Sequence, residues 1–385
     1  MKTAGYPRIR VSGGPFERGE QYGSLARPQV HHARSGYERS FASKGVPWAE
    51  AVIHAQGFAE SIQRFFPDIW EEMRGIAMGA NLPFEDILAM NCRTEILWRA
   101  LVSSHQMATG QATSLRGVGE CSSFAIAPTH TAMGHTLMGQ NWDWLLHGFD
   151  SVILLEVERE DGPNYVTIVE AGLLAKTVMN EHGIGMAVNT LVTSTDGSTP
   201  GVPFHVLLRA LADCERVFDA VELLASHPRA SSGNYVLGAA DGAILNIETG
   251  PGDARNINIQ IAKHGKTFHT NHFLDSVQGG FDLAPVAMSD SYVRLSRLRE
   301  LVGIKAQAVT VAALDQALRD HTDAPGSICC HPDGRSDPAA QWSTVMSVVM
   351  DLENRVLHLA EGNPCMTPRN AVDYAEFLQP NLVKA

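Results

Sequence analysis

Residues 117–128 read GVGECSSFAIAP, and residues 134–144 read GHTLMGQNWDW. The chain changes character within this stretch. Before it, residues 17–100 carry apolar side chains at three- and four-residue spacing, which predicts amphipathic helices, one of them with Asn81 as its N-cap. From Cys121 onward, short apolar runs separated by glycine, asparagine and Asp-Gly turns predict an antiparallel sheet. Two strand-rich blocks with helical pairs between them indicate a layered α+β domain with helices on its outer faces.

A segment without periodicity precedes this boundary. Residues 102–120 are rich in serine, threonine, glycine and glutamine and have no periodicity, which predicts an exposed linker. We therefore expect a helix-rich segment over 1–120 and a strand-rich segment over 121–385 that together form one domain.

Composition excludes several classes of function. The 385 residues carry a net charge of −12, so the chain offers no basic face to a nucleic acid backbone. No apolar run is long enough for a signal peptide or a membrane span. The six cysteines lack the spacing of a disulfide framework, which indicates reduced thiols. We therefore expect a cytoplasmic protein that has no membrane partner.

Motifs for metals and nucleotides are missing from the sequence. It contains no HExxH and no CxxC, and the phosphate-binding glycine loop that ends in GK[ST] is also absent. His269 and His272 are three residues apart on a predicted strand, where their side chains would point to opposite faces. We therefore expect neither a metal site nor a cofactor.

Cys121 allows three interpretations. It could be a small buried hydrophobic residue, which is the commonest role of a free cysteine. It could pair with a histidine, although His130 and His135 lie at the far end of the predicted hairpin. It could also become an N-terminal residue if the Glu120–Cys121 bond were cut, because a free α-amine has a pKa of about 7.7–8.0 and can act as the base. The residues alone leave these alternatives open.

A family resemblance adds weight to the third interpretation. The stretch from Gly119 to Trp144 resembles the start of the mature β subunit in the acyl-CoA:isopenicillin N acyltransferase-like family of N-terminal-nucleophile hydrolases. The likeness spans nearly the whole chain, and its other marks follow in the same order: GGPFERGEQYG, NCRTEI, NEHGIGMAVNTL, SSGNYVLGAADG, HTNHF, SDSYVRLSRL, DAPGSICCHPD and TVMSVVMDLENRVLHLAEGNPC. The fungal acyltransferase has glycine where this chain has Glu120.

The resemblance implies a four-layer αββα sandwich and a precursor that cleaves itself between Glu120 and Cys121. The two fragments would then remain associated, in a monomer or a homo-oligomer. Cys121 would be the nucleophile and the carrier of the acyl group, with its α-amine as the base. The partner would be a small-molecule amide or another acyl donor such as acyl-CoA, and the acceptor would be water or an amine.

The resemblance also suggests site residues. Asn234 resembles the side-chain donor of the oxyanion hole, and Asn189 is a second candidate for that role. Each could equally be an asparagine with a purely structural function.

Charged residues complete the predicted site. Asp143 resembles the acidic residue beside the nucleophile, and Arg294 resembles the arginine of the site, able to pair with Asp143 or with a substrate carboxylate. Ser123 could bond the amine at the new chain end. The alternatives are a strand-end cap for Asp143 and a solvated helix face for Arg294.

Two other functions fit the same sequence. The first is a specific amidase for a small substrate such as a β-alanyl amide. The second is a binding protein with this fold that is neither cleaved nor catalytic.

Overall fold

The computed structural model describes residues 5–107, 120–277, 279–304, 308–337 and 341–378. Its strands form two separate sheets, one of eight strands and one of six. Among these residues, no helix combines the length and the apolar character that crossing a membrane requires.

The larger sheet is antiparallel except at one edge, where the first strand of the chain runs parallel to its neighbour. Its strands, in their order across the sheet, are β1 (Arg8–Val11), β4 (Val152–Val157), β5 (Tyr165–Glu170), β6 (Thr177–Asn180), β7 (Ile184–Thr190), β8 (Gly233–Ala239), β9 (Ile244–Thr249) and β10 (Ile257–Ile261).

The smaller sheet is antiparallel throughout. Its strands, in their order across the sheet, are β11 (Lys266–His269), β2 (Glu120–Ile126), β3 (Leu137–Leu145), β12 (Trp342–Asp351), β13 (Val356–Ala360) and β14 (Asn370–Asp373). The predicted hairpin that starts at Cys121 is β2 and β3.

The two sheets pack face to face. Successive residues of a strand point to opposite sides of its sheet, so each strand contributes alternate residues to the core between the sheets. In β2, Cys121 and Ala125 belong to the core between the sheets, whereas Phe124 and Ile126 belong to a second core on the outer side. Gln140 of β3 crosses the gap, and its side-chain oxygen accepts a hydrogen bond of 2.7 Å from the backbone nitrogen of Val188 in β7.

Helices form the two outer layers. The side of the larger sheet carries α1 (Pro15–Leu25), α2 (Arg27–Ser43), α3 (Trp48–Gln56), α4 (Ala59–Phe65), α5 (Pro67–Ala80), α6 (Phe84–Asn91), α7 (Arg93–Met107), α8 (Phe204–Leu211) and α9 (Val217–Ser226). The smaller sheet is covered by α11 (Ser291–Leu298), which continues as a π-helical turn to residue 304, and by α12 (Val311–Leu318). The single turns α10 (Ala284–Ala287) and α13 (Ala375–Leu378) complete the set. These layers confirm the predicted αββα sandwich.

Helices α1 and α5 approach each other as closely as backbones allow, because glycines line their contact. A Cβ atom at Gly19 would lie 2.2 Å from the carbonyl oxygen of Glu72, and one at Gly75 would lie 2.1 Å from that of Phe16. The GGPFERGEQYG motif thus has a packing role, because any larger residue at Gly19 would force the helices apart.

The structure corrects two local predictions. Helix α7, whose first residues pack on the core, continues to Met107. The helix therefore includes the first part of the segment over 102–120 that the sequence predicts to be a linker. Residues 108–119 lie outside the described ones. Asn81, interpreted as a helix N-cap, instead ends α5 in a left-handed conformation with φ of 55°, which asparagine tolerates better than most residues. The next helix, α6, begins after Pro83.

Candidate active site

Cys121 is the second residue of β2 and is 1% exposed, facing the space between the two sheets. Burial raises the pKa of its thiol to about 11. The positive charges of Lys176 and Arg294 oppose that rise, whereas the carboxylate of Asp143 adds to it. The thiol therefore needs a nearby base to become a nucleophile at neutral pH.

Both backbone polar groups of Cys121 are held by side chains. Its nitrogen donates to the Oδ1 atom of Asn271 at 2.8 Å. Its carbonyl oxygen accepts from Nη1 of Arg294 at 2.8 Å and from Nδ2 of Asn189 at 3.1 Å. These contacts fix the residue on both sides of its Cα atom.

Asn271 was not among the predicted site residues, although it lies in the HTNHF motif. Its own backbone nitrogen donates to Oγ of Ser291 at 2.7 Å, and its Nδ2 atom donates to the carbonyl oxygen of Thr190 at 3.0 Å. Its Oδ1 atom accepts a second bond, from Nη2 of Arg294 at 3.1 Å. The amide is thereby oriented with its oxygen toward the nitrogen of Cys121.

The two predicted oxyanion asparagines are paired across β7 and β8, where Asn189 stands opposite Asn234. Nδ2 of Asn234 donates to Oδ1 of Asn189 at 2.9 Å, and Asn189 in turn contacts Cys121. The structure thus links both asparagines to Cys121 through one chain of hydrogen bonds.

Ser123 joins the same chain of hydrogen bonds. Its hydroxyl donates to Oδ1 of Asn189 at 2.5 Å, because residues two apart in β2 face the same side and the opposing strand is β7. In the uncut chain the nitrogen of Cys121 is held by Asn271.

Asp143 lies in β3 directly across from Glu120. Its Oδ1 atom accepts a hydrogen bond of 2.5 Å from the hydroxyl of Thr344, whereas its Oδ2 atom is buried and has no partner among the described residues. Burial raises the pKa of this carboxyl to about 7, and the charge of Arg294 limits the rise. Asp143 therefore changes its charge close to neutral pH.

Arg294 extends from α11 into the centre of the site and is buried. Its Nε atom forms an ion pair of 2.7 Å with Asp290 one helical turn earlier. The same guanidinium contacts the carbonyl oxygen of Cys121 and stabilises the charged form of Asp143. An open cavity of about 690 Å³ is lined in part by Asp290, the ion-pair partner of Arg294, and by Cys330.

Lys176 is a further charged residue that sequence patterns did not reveal. It immediately precedes β6, is 1% exposed, and places its Nζ atom 4.5 Å from the centre of the Trp142 ring, which stands opposite Cys121 in β3. Burial lowers the pKa of Lys176 to about 8, and the thiolate of Cys121 would raise it again. A lone lysine in the apolar run AGLLAKTVMN was the available signal.

Beyond Lys176, several buried polar atoms have no hydrogen-bond partner among the described residues. They are Nη1 of Arg93, Nε2 of Gln140, Nε1 of Trp142, Nε1 of Trp144, Oε1 of Glu170 and the hydroxyl of Tyr235. Buried polar atoms are normally paired with protein or water. Trp142 stands opposite Cys121, and the guanidinium carbon of Arg93 lies 3.7 Å from the centre of the Trp144 ring, so part of this set lies along β3 near Cys121.

Among the described residues, the histidines that the sequence singled out do not contact Cys121 and so do not provide its base. His130 and His135 lie at the end of the β2–β3 hairpin farthest from Cys121, and His135 contacts Asp351. His269 bonds Glu248, and His272 bonds Ser291.

Comparison with known proteins gives a consistent family signal. The sequence pattern of the family described as "Acyl-coenzyme A:6-aminopenicillanic acid acyl-transferase" matches residues 131–365. The "Acyl-coenzyme A:6-aminopenicillanic-acid-acyltransferase 40 kDa form" of Emericella nidulans is 23% identical over 373 residues, which cover 92% of each chain.

Solved structures with a similar arrangement are more distant. A variant of conjugated bile acid hydrolase from Clostridium perfringens matches with a TM-score of 0.46 and 12% identity, over 66% of this chain and 93% of that one. Penicillin V acylase from Agrobacterium tumefaciens matches with a TM-score of 0.39 and 13% identity, over 66% and 86% of the two chains.

Proposed function

The chain belongs to the acyl-coenzyme A:6-aminopenicillanic acid acyl-transferase family, and on that premise we propose that it is a self-cleaving N-terminal-cysteine acyltransferase and amide hydrolase. The observation that carries the proposal is the environment of Cys121. Its thiol is buried between the sheets, and side chains hold both its backbone nitrogen and its backbone oxygen.

Activation begins at the bond between Glu120 and Cys121. The thiol attacks the carbonyl carbon of Glu120, and the amide bond breaks while the nitrogen of Cys121 takes a proton. The resulting thioester is hydrolysed by water, which leaves a carboxylate on Glu120 and a free amine and thiol on Cys121. Asn271 supports this step because its oxygen already accepts the hydrogen of the nitrogen that is released.

The new amine then acts as the base. Its pKa of about 7.7–8.0 allows it to take the thiol proton near neutral pH, where the buried thiol alone, with a pKa of about 11, stays protonated. Arg294 and Asn189 keep the carbonyl group of Cys121 fixed, so that amine and sulfur stay close to one another.

Acyl transfer follows through a thioester on Cys121. The thiolate attacks the carbonyl of the donor, and Asn234 donates a hydrogen bond to the oxyanion that forms. The protonated amine delivers its proton to the leaving group, and water or an amine acceptor then takes the acyl group from the sulfur. An amide group carries two hydrogens, of which Asn234 directs one to Asn189 in the uncut chain.

The substrate class follows from the family and from the polar interior. The name of the Emericella nidulans relative couples acyl-coenzyme A with 6-aminopenicillanic acid. We propose an acyl thioester or a small amide as the donor for this chain, and the unpartnered groups of Arg93, Trp142 and Trp144 as its contacts.

Denaturing mass spectrometry of the purified protein tests the proposal. Cleavage before Cys121 separates 120 of the 385 residues, about 13 kDa of the 41.7 kDa chain, from a fragment of about 29 kDa. Cys121→Ala should remain a single chain and should release no thiol from acyl-coenzyme A, whereas Cys214→Ser, at a buried cysteine outside the site, should behave like the wild type. A fully active protein that stays intact would overturn the proposal, and a cleaved Cys121→Ala would assign the cut to another protease.

A further inference from the structure

Two thiols and two imidazoles converge in the loops around the start of β12, apart from the residues that contact Cys121. The side chains are those of His321, Cys329, His331 and Cys365, and their ligand atoms all lie within 4.8 Å of one another. We propose that these four residues, the Cys–His cluster, bind one zinc ion.

Distances within the Cys–His cluster match a tetrahedral ion. The two Sγ atoms are 3.5 Å apart, and the two Nε2 atoms are 3.1 Å apart. Nε2 of His331 lies 3.6 Å from Sγ of Cys329 and 3.3 Å from Sγ of Cys365. Bonds of about 2.3 Å to sulfur and about 2.0 Å to nitrogen around a tetrahedral zinc place the ligand atoms about 3.3–3.8 Å apart. The widest separation in the cluster, 4.8 Å, has to shorten by about 1 Å for the four atoms to close around the ion.

The donor set selects the metal. Thiolate and imidazole ligands suit zinc, whereas calcium and magnesium require oxygen donors. Four protein ligands fill all positions of a tetrahedral ion, and such a closed site has a structural role, because a catalytic zinc keeps one position for water or substrate.

The ion would join segments that are distant in the sequence. His321 follows α12, Cys329 and His331 lie in the loop before β12, and Cys365 follows β13. Nδ2 of Asn363 lies 3.8 Å from Sγ of Cys329 and donates to the carbonyl oxygen of Cys330 at 2.7 Å. A donor to the ligand sulfur is the kind of surrounding contact that orients a metal ligand. Because His321 is exposed, the ion can reach the site from solvent.

The Cys–His cluster is also linked to the proposed active site, and this part of the inference rests on the proposed function. Cys330, between two of the ligands, donates its backbone nitrogen to the hydroxyl of Thr344 at 2.9 Å. That hydroxyl must then donate its own hydrogen elsewhere, and it does so to Oδ1 of Asp143 at 2.5 Å. The ion thereby makes Thr344 a positioning residue for Asp143.

Metal analysis of the purified full-length protein tests the zinc site. Plasma mass spectrometry should find one zinc per chain, and replacement by Co²⁺ should give the visible absorption of a tetrahedral ion together with thiolate-to-cobalt charge transfer. Cys365→Ser should lose the zinc on dialysis against a chelator and should lose the charge-transfer band. Cys330→Ser, an adjacent cysteine outside the Cys–His cluster, should keep both.

Two results would overturn the site. One is a wild-type chain, freed of metal, that fails to take zinc from a colorimetric zinc indicator. The other is a disulfide between Cys329 and Cys365 in the protein as purified, detected as a mass lower by two hydrogens. Neither measurement depends on turnover, so the zinc site and the proposed function can fail separately. If the link to Asp143 holds, removing zinc lowers kcat and shifts its pH profile, and restoring zinc reverses both; an unchanged profile overturns the link.

Discussion

The Oδ1 atom of Asn271 lies 2.8 Å from the backbone nitrogen of Cys121 and accepts its hydrogen. In an ordinary strand that nitrogen would be directed to a neighbouring carbonyl or to solvent. Here it is directed to a side chain that Ser291 and Thr190 hold rigidly from two other elements. Under the proposed mechanism, the group that would become the catalytic amine is thus oriented in the uncut chain.

Changing Asn271 should alter the amine rather than the fold. Asn271→Ala removes a hydrogen bond to a charged group, worth about 1.5–3 kcal/mol, so kcat/KM should fall about ten- to a hundredfold. Asn271→Asp places a carboxylate beside the ammonium, raises the pKa of the amine, and should move the acid limb of the kcat/KM profile to higher pH. Titration of turnover against pH measures both. An acid limb that does not move in Asn271→Asp contradicts the assignment.

Asn234 should act in the transition state. Asn234→Ala should lower kcat about a hundred- to a thousandfold, with a small change in KM, because the oxyanion forms only during the reaction. Asn246→Ala is the matched control, since Asn246 is also a buried asparagine of the larger sheet but bonds Gln260 away from Cys121. Steady-state kinetics of the two variants measure this difference. An equal loss of activity in both variants would show that Asn234 has no specific role in the mechanism.

Lys176 should activate the thiol electrostatically. Its charge lowers the pKa of Cys121, so Lys176→Met should slow thioester formation about tenfold and shift the rate profile to higher pH. Lys266→Met is the control, because Lys266 is a buried lysine whose ammonium donates to the carbonyl oxygen of Val302 instead. Burst kinetics with a chromogenic acyl donor separate the acylation step. A profile of Lys176→Met that overlays the wild type excludes this role.

Asp143 should make stability depend on pH. Its folded pKa of about 7 lies above the ordinary value of 3.8, so its contribution is complete below about pH 4 and is lost as pH rises through about 7. Urea unfolding of Cys121→Ala and of the same chain with Asp143→Asn, from about pH 5 to pH 8, isolates this group. The free energy of unfolding of the chain with Asp143, relative to the one with asparagine, should fall across that range. A constant difference would contradict the raised pKa.

Sequence reasoning reached the fold and the neighbourhood of Cys121 through the change of pattern at the β2 strand and the motifs around it. Asn189, Asn234, Asp143 and Arg294 all lie near Cys121 in the structure. Each stands in a motif whose order along the chain carried the prediction.

The remaining site residues depend on packing that no local pattern encodes. Asn271 reaches Cys121 because it follows β11, the strand that pairs with β2, whereas Lys176 precedes β6 of the opposite sheet and looks in the sequence like a polar exception in an apolar run. The four ligands of the Cys–His cluster are spread along the sequence from His321 to Cys365, so no short spacing motif contains them.

Strand β1 gives the larger sheet its edge, where Arg8–Val11 pair with Leu154–Val157 of β4. Cleavage before Cys121 would place these two strands in different polypeptides. A sheet that forms within one chain would then contain an interface between two fragments of the same precursor. Once denatured, the mature protein would have to reassemble by a second-order encounter of its fragments, with a yield that depends on concentration. The uncut chain refolds by a first-order process. Processing would therefore convert a protein that can recover from unfolding when dilute into one that depends on being folded only once.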